Sequence, residues 1–232
     1  MKDLMGKAIL DYQEGNYSED LVTATHISYN DVLPVPYLFR SYDEMPKIEQ
    51  HALDIARGKT LDIGCAAGSH SLYLLNKGLD VTAIDVSPNS IEVCKKRGVK
   101  QAFHRNLLDE TAQYDTLLSL MNGTGIFHTI ELATKYLSHM KSLLKPGGQI
   151  LIDSSDVSYM YDEEDLAELK QAGIYYGELD YYLSYKGESE EVMTWLYVDF
   201  ETLKKLCKPI GLNCELVKAG EHFDYLARII SS

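Results

Sequence analysis

The chain has 232 residues, 45% of them apolar, and a net charge of −13. That length and core fraction suit one α/β domain with additions, and so acidic a surface repels phosphate backbones, so no nucleic-acid partner is expected. No run of about 18 apolar residues occurs, and the opening MKDLMGKAILDYQEGNYSED lacks an apolar h-region; the expectation is a cytoplasmic protein with no membrane partner and no signal peptide. The four cysteines (65, 94, 207 and 214) form no C-x-x-C pair, so they read as reduced and mostly structural.

In chain order, residues 1–20 predict a short helix and a polar turn. Residues 32–46 carry three prolines among aromatics, which suits an ordered loop or flap. A helix is expected over 47–57, ended by Gly58. Residues 1–57 thus read as an N-terminal lid or helical segment, followed by the main domain over 58–232.

Residues 60–65 form a short apolar run into a Gly/Ala-rich turn, and 69–77 have helical spacing ended by Gly78. Residues 80–86 are β-rich. Ser87 then caps a helix that Pro88 opens and Gly98 closes. Strands are expected at 101–104, 114–121 and 149–153. Between the last two, 128–144 is amphipathic, with Ile130, Ala133, Leu137, Met140 and Leu144 on one face. Strand and helix alternating at this spacing imply parallel βαβ units in a sheet covered on both faces.

The last third differs. Acidic residues 162–168 read as a solvated helix start. A tyrosine-rich antiparallel hairpin is expected about 175–199, around Gly187. A helix near 201–207 and strands near 212–217 and 225–230 complete the chain.

The chemistry concentrates in LDIGCAAGSHSLYL, residues 61–74. A strand delivers Asp62 into a turn of small residues, Gly64, Ala66 and Gly68, that opens a helix. Small residues let a ligand approach the backbone, and the turn lies where open α/β sheets bind ligands. Asp85 ends the next strand, about 20 residues after the first loop glycine, where a carboxylate can take both ribose hydroxyls. Together these indicate a nucleoside. The G-x-G-x-x-G spacing of nicotinamide-dinucleotide sites is not met, which disfavours an oxidoreductase.

The stretch D-x-G-x-A-x-G resembles the first motif of class I S-adenosylmethionine-dependent methyltransferases, with Ala66 replacing the middle glycine. Asn106 stands where that family often has an acid. YDTLLSLMNGTG (114–125) resembles its fourth-strand motif, and LLKPGGQILIDSSD (143–156) its next helix-turn-strand segment. The match covers about 58–156 well and 199–231 loosely.

The resemblance implies a Rossmann-like, seven-stranded, mostly parallel sheet with helices on both faces and an antiparallel last strand, plus the inserted hairpin. It implies S-adenosylmethionine as cofactor. Gly64, Cys65, Ala66 and Gly68 would face its methionine part, with Asp62 beneath and His70 beside it. Asp85 would take the ribose, and Val86 would pack on the adenine near Asn106 and Leu107. Met121 would lie at the pocket mouth. Tyr37, Arg40 and Asn122 are the candidates nearest the acceptor, Arg40 also facing the cofactor's carboxylate.

No catalytic residue is assigned. Methyl transfer is an in-line displacement, and positioning alone contributes on the order of 7–11 kcal/mol; a base is needed only for an acceptor that enters protonated. Leu120-Met121-Asn122-Gly123 replaces the [N/D]-P-P-[Y/F] signature of amino-methylating members. No Pro-Cys nucleophile motif and no metal-ligand spacing occur, so no metal is expected. The reading is methyl transfer to an unidentified small molecule by a monomer or homodimer. The alternatives are a protein methyltransferase and a cofactor-binding protein without transfer activity.

Overall fold

The computed structural model describes residues 2–231. Leu4–Gln13 forms α1, whose first turn is capped by the Asp3 carboxylate. Strands β1 (Leu21–Thr25) and β2 (Asp31–Leu33) follow. Two 3-10 turns, Val35–Phe39 and Tyr42–Glu44, lead into α2 (Lys47–Ile55).

The chain then alternates: β3 (Lys59–Ile63), α3 (Ser69–Asn76), β4 (Asp80–Asp85), α4 (Pro88–Arg97), β5 (Ala102–His104), β6 (Tyr114–Ser119), α5 (Ile130–Ser142) and β7 (Leu144–Ser155). Beyond lie α6 (Glu163–Ala172), β8 (Glu178–Tyr185), β9 (Glu188–Ser189), β10 (Met193–Leu196), α7 (Phe200–Cys207), β11 (Leu212–Ala219) and β12 (Asp224–Ser231).

The main sheet has the order β11-β12-β7-β6-β3-β4-β5. β3 to β7 run parallel, and β12 is antiparallel to both its neighbours. This is the expected Rossmann-like seven-stranded sheet. Alternate strand residues serve opposite faces. Leu117 and Ile150 pack with Leu137 and Met140 of α5 and Leu203 of α7, while Leu118 and Leu151 pack with Ala52 and Leu53 of α2. The chain winds from β3 outward through β4 and β5, then returns to build β6 and β7 on the other side. That reversal opens a crevice at the carboxyl ends of β3, β4 and β6.

Four local expectations change. The strand expected at 149–153 spans Leu144–Ser155, because Lys145–Gly148 is absorbed as an irregularity in the β6–β7 pairing. The helix expected from 128 starts at Ile130, since His128 has φ 63 and Thr129 is the cap. The stretch before residue 58 is not helical alone: β1 pairs antiparallel with both β2 and β8. The hairpin is therefore no free arm but part of a second sheet, ordered β10-β8-β1-β2 with β9 on β8. Among the described residues no helix is long and apolar enough to cross a membrane.

Candidate active site

The crevice starts from β3. Its Asp62 is buried and accepts a 2.5 Å hydrogen bond from Ser71 Oγ of α3. Burial raises its pKa, against the opposing contacts with His70 and Ser71. The chain then turns sharply through Gly64 (φ +69) and Ala66 (φ 47), and Gly68 leads into α3. A Cβ on Gly64 would meet nothing within 4 Å, so the loop presents bare backbone to open space. Ala66 holds a left-handed conformation that costs a non-glycine residue roughly 1–2 kcal/mol. Its N–H donates to Asp85 Oδ2 at 2.9 Å, which fixes it there.

Asp85 also accepts from Ser87 N–H at 2.8 Å. Burial pushes its carboxyl up, and the two backbone donors pull it back. Its neighbour Val86 is half exposed, and the Val86 carbonyl lies 3.0 Å from His104 Nε2. The Cys65 side chain turns away from the loop, into the core, 3.6 Å from Cys94 Sγ. The Asn106 Oδ1 accepts from Leu108 N–H, capping the turn Leu107–Asp109, and Leu107 is buried. The charge-free residue there thus works locally as a cap.

At the end of β6, Met121 (φ 66) and Asn122 (φ 57) are both left-handed. Asp153 of β7 holds this turn by accepting from Met121 N–H at 3.0 Å and Gly123 N–H at 2.9 Å. Burial lifts Asp153 to about 6. Asn122 Oδ1 accepts from Ser155 Oγ.

The N-terminal segment closes over the loop. Ser69 Oγ donates to the Leu38 carbonyl at 2.9 Å. Arg97 donates to the Ala67 carbonyl at 2.6 Å, and its guanidinium lies 4.8 Å from the Phe39 ring centroid. Arg40 is buried against Glu49 of α2, and Glu49 Oε2 is 2.8 Å from His70 Nε2. Burial alone would raise the Glu49 carboxyl; contacts with His70 and then Arg40 outweigh it and hold it below the usual glutamate range. The Tyr37 ring stacks 4.0 Å from the Arg40 guanidinium, yet Arg40 Nε is buried with no partner.

A model for a methyltransferase domain matches residues 56–197. The fold superimposes on an S-adenosylmethionine-dependent methyltransferase from Bacteroides fragilis in complex with S-adenosyl-L-homocysteine. That match has a TM-score of 0.90 and 42% identity, and covers 100% of this chain and 95% of the other. The chain belongs to the S-adenosylmethionine-dependent methyltransferases. An uncharacterized methyltransferase of Staphylococcus carnosus is 26% identical over 211 residues, 90% of this chain and 91% of its own. A ubiquinone biosynthesis O-methyltransferase of Rickettsia felis is 29% identical over 112 residues, 47% of this chain and 46% of its own. The chain therefore spans less than half the length of that last relative.

Sequence reasoning about this methyltransferase brought out the loop and Asp85 but missed three groups that shape the same crevice: Glu49, Ser71 and Asp153. A signal existed for two of them. Glu49 falls on the apolar face of its helix, beside Ile48, Ala52 and Leu53. Asp153 lies two residues from the end of an apolar strand, just as Asp62 and Asp85 lie next to or at the ends of theirs.

Proposed function

We propose that this methyltransferase modifies a small molecule, with S-adenosylmethionine across the carboxyl ends of β3 and β4. The carrying observation is the roof. Thr124 Oγ1 of the turn after β6 donates to the Leu196 carbonyl of β10 at 2.9 Å. That bond ties the second sheet to the turn at the carboxyl end of β6, which supports a small acceptor over a folded protein surface. The relative from Rickettsia, named for ubiquinone biosynthesis, agrees with that size class.

The residues present fit the cofactor. The open backbone at Gly64 and Ala66 suits close approach of its methionine part, with Cys65 contributing main chain only and Gly68 starting the helix. Arg40, held by Glu49, which His70 braces in turn, is the candidate for the cofactor's carboxylate. Asp62 supports the amino end. Asp85 retains lone pairs for ribose hydroxyls, and half-exposed Val86, with Asn106 and Leu107 nearby, offers a face for adenine. Met121 borders the sulfur end, and Tyr37 and Asn122 border the acceptor.

The bound cofactor supplies a methyl group already activated by a cationic sulfur. The chain's own contribution is alignment and exclusion of water. Residues 1–57 serve as the lid and 58–232 as the transferase domain, carrying the hairpin about 175–199. The four buried, unbridged cysteines support a cytoplasmic location, and a monomer or homodimer completes the proposal.

Incubation with methyl-labelled cofactor, against a metabolite extract and a protein extract, tests this reading. Label is expected in the small-molecule fraction. Label confined to protein would overturn it.

A further inference from the structure

The loop that turns between β3 and α3 is gripped from the side of α4. Two successive loop carbonyls meet that helix. The Ala66 carbonyl accepts from Cys94 Sγ at 3.3 Å, and the Ala67 carbonyl accepts from Arg97 Nη1 at 2.6 Å. A peptide unit is planar, so fixing each carbonyl fixes the unit that carries it. Gly68 leaves no slack in this contact, since a Cβ there would fall 2.9 Å from Cys94 Sγ.

Arg97 reaches beyond the loop. Its Nη1 also donates to Ser69 Oγ at 3.3 Å, and Ser69 Oγ donates in turn to the Leu38 carbonyl at 2.9 Å. Its guanidinium lies 4.8 Å from the Phe39 ring centroid, and that ring meets the Tyr12 ring of α1 at 4.6 Å. One planar cation thus touches both the loop and the N-terminal segment. A guanidinium is suited to this, because it donates in its plane and stacks on its face. Acids outnumber bases 35 to 22 in the chain, yet Arg97 has no ion-pair partner among the described residues. Its partners are instead a carbonyl, a hydroxyl and a ring, drawn from the two segments that meet at the cofactor loop.

We propose that Arg97 is a positioning residue for the cofactor: by holding the loop 64–68 and residues 38–39 at one spacing, it sets the affinity for the cofactor's amino-acid part. It touches no reacting atom and acts through the backbone of Ala67 and the side chains of Ser69 and Phe39. This role rests on the placement of the cofactor given above and adds a residue outside the crevice that tunes it.

The helix that carries Arg97 does not depend on it. Arg97 is the last residue of α4, where Gly98 (φ 109) already closes the helix by donating to the Cys94 and Lys95 carbonyls. Lys95 and Lys96 supply basic charge to the same turn. The side chain is half-buried rather than sealed in the core, so its replacement leaves no core cavity. Its loss frees the loop and not the fold.

Calorimetry with two ligands separates the two ends of the cofactor. S-adenosylhomocysteine carries the amino-acid part, and methylthioadenosine lacks it. Each is titrated into the wild-type chain, R97M, R97K and D85N. R97M is expected to weaken S-adenosylhomocysteine at least about tenfold while methylthioadenosine stays within about twofold of wild type. R97K should recover part of the loss, because an ammonium still reaches the Ala67 carbonyl but does not stack flat on Phe39. Equal losses for the two ligands in R97M would reveal a general structural role, and an unchanged affinity for S-adenosylhomocysteine would reveal no role; either result overturns the assignment. D85N, by contrast, should weaken both ligands, since both carry the ribose. If the wild-type chain bound neither compound, or D85N bound both as tightly as wild type, the cofactor placement would fall and this role with it; a D85N loss without an R97M loss would sink the Arg97 role alone.

Discussion

At the scale of single residues, buried charge does most of the shaping. Asp153 keeps two left-handed residues in place through backbone hydrogen bonds, and its burial raises it from an ordinary 3.8 to about 6. A raised carboxyl means that the fold prefers the neutral acid. Its stabilising contribution is thus complete below 3.8 and lost as pH rises through about 6. Carboxyl carbon NMR should show Asp153 titrating near pH 6; a midpoint below 4 would contradict its burial. Glu49 has the opposite character, since it compensates Arg40 at side-chain exposures of 5% and 3%. Removing it strands a buried guanidinium. Glu49→Ala should cost about 3–5 kcal/mol in urea unfolding, and a loss under about 1 kcal/mol would show that Arg40 finds another partner.

At the scale of elements, the contact between Trp195 and Gly125 joins the two sheets. Gly125→Val has no room for its side chain. Overpacking of this kind typically costs about 1–3 kcal/mol, and Trp195 should shift to longer emission wavelengths as the roof lifts. An unshifted spectrum at unchanged stability would mean that the roof is not seated as described. The elements also divide by legibility. The parallel core was readable because runs such as Ala83-Ile84, Leu117-Leu118 and Ile150-Leu151-Ile152 are apolar on both faces, and turn residues bound their strands. β1 and β2 were not, because LVTAT and DVL are short and mixed, and β1 gains its strand character from β8, more than 150 residues away. No local pattern encodes such a pairing. The contact of Trp195 with Tyr181 and Gly125 was opaque for the same reason, since these residues meet only once the second sheet is docked. Asp62 and Asp85 were legible because a strand, a small-residue turn and a spaced carboxylate are neighbours in the chain itself.

At the scale of the whole molecule, two sheets share one crevice. In the proposed arrangement the seven-stranded sheet holds the nucleoside end, and the smaller sheet, built from both the N-terminal segment and the hairpin, covers the other. The charge distribution follows the same division, with the smaller sheet and α6 almost without cations. The central claim, that the ends of β3 and β4 hold the cofactor through Asp85, is tested most directly by calorimetry of S-adenosylhomocysteine with the wild-type chain and Asp85→Asn. The amide keeps the shape but loses the charge, and a hydrogen bond to a charged group contributes about 1.5–3 kcal/mol. The expected result is one-to-one binding that weakens at least about tenfold in the variant; equal affinity of the two chains would contradict it.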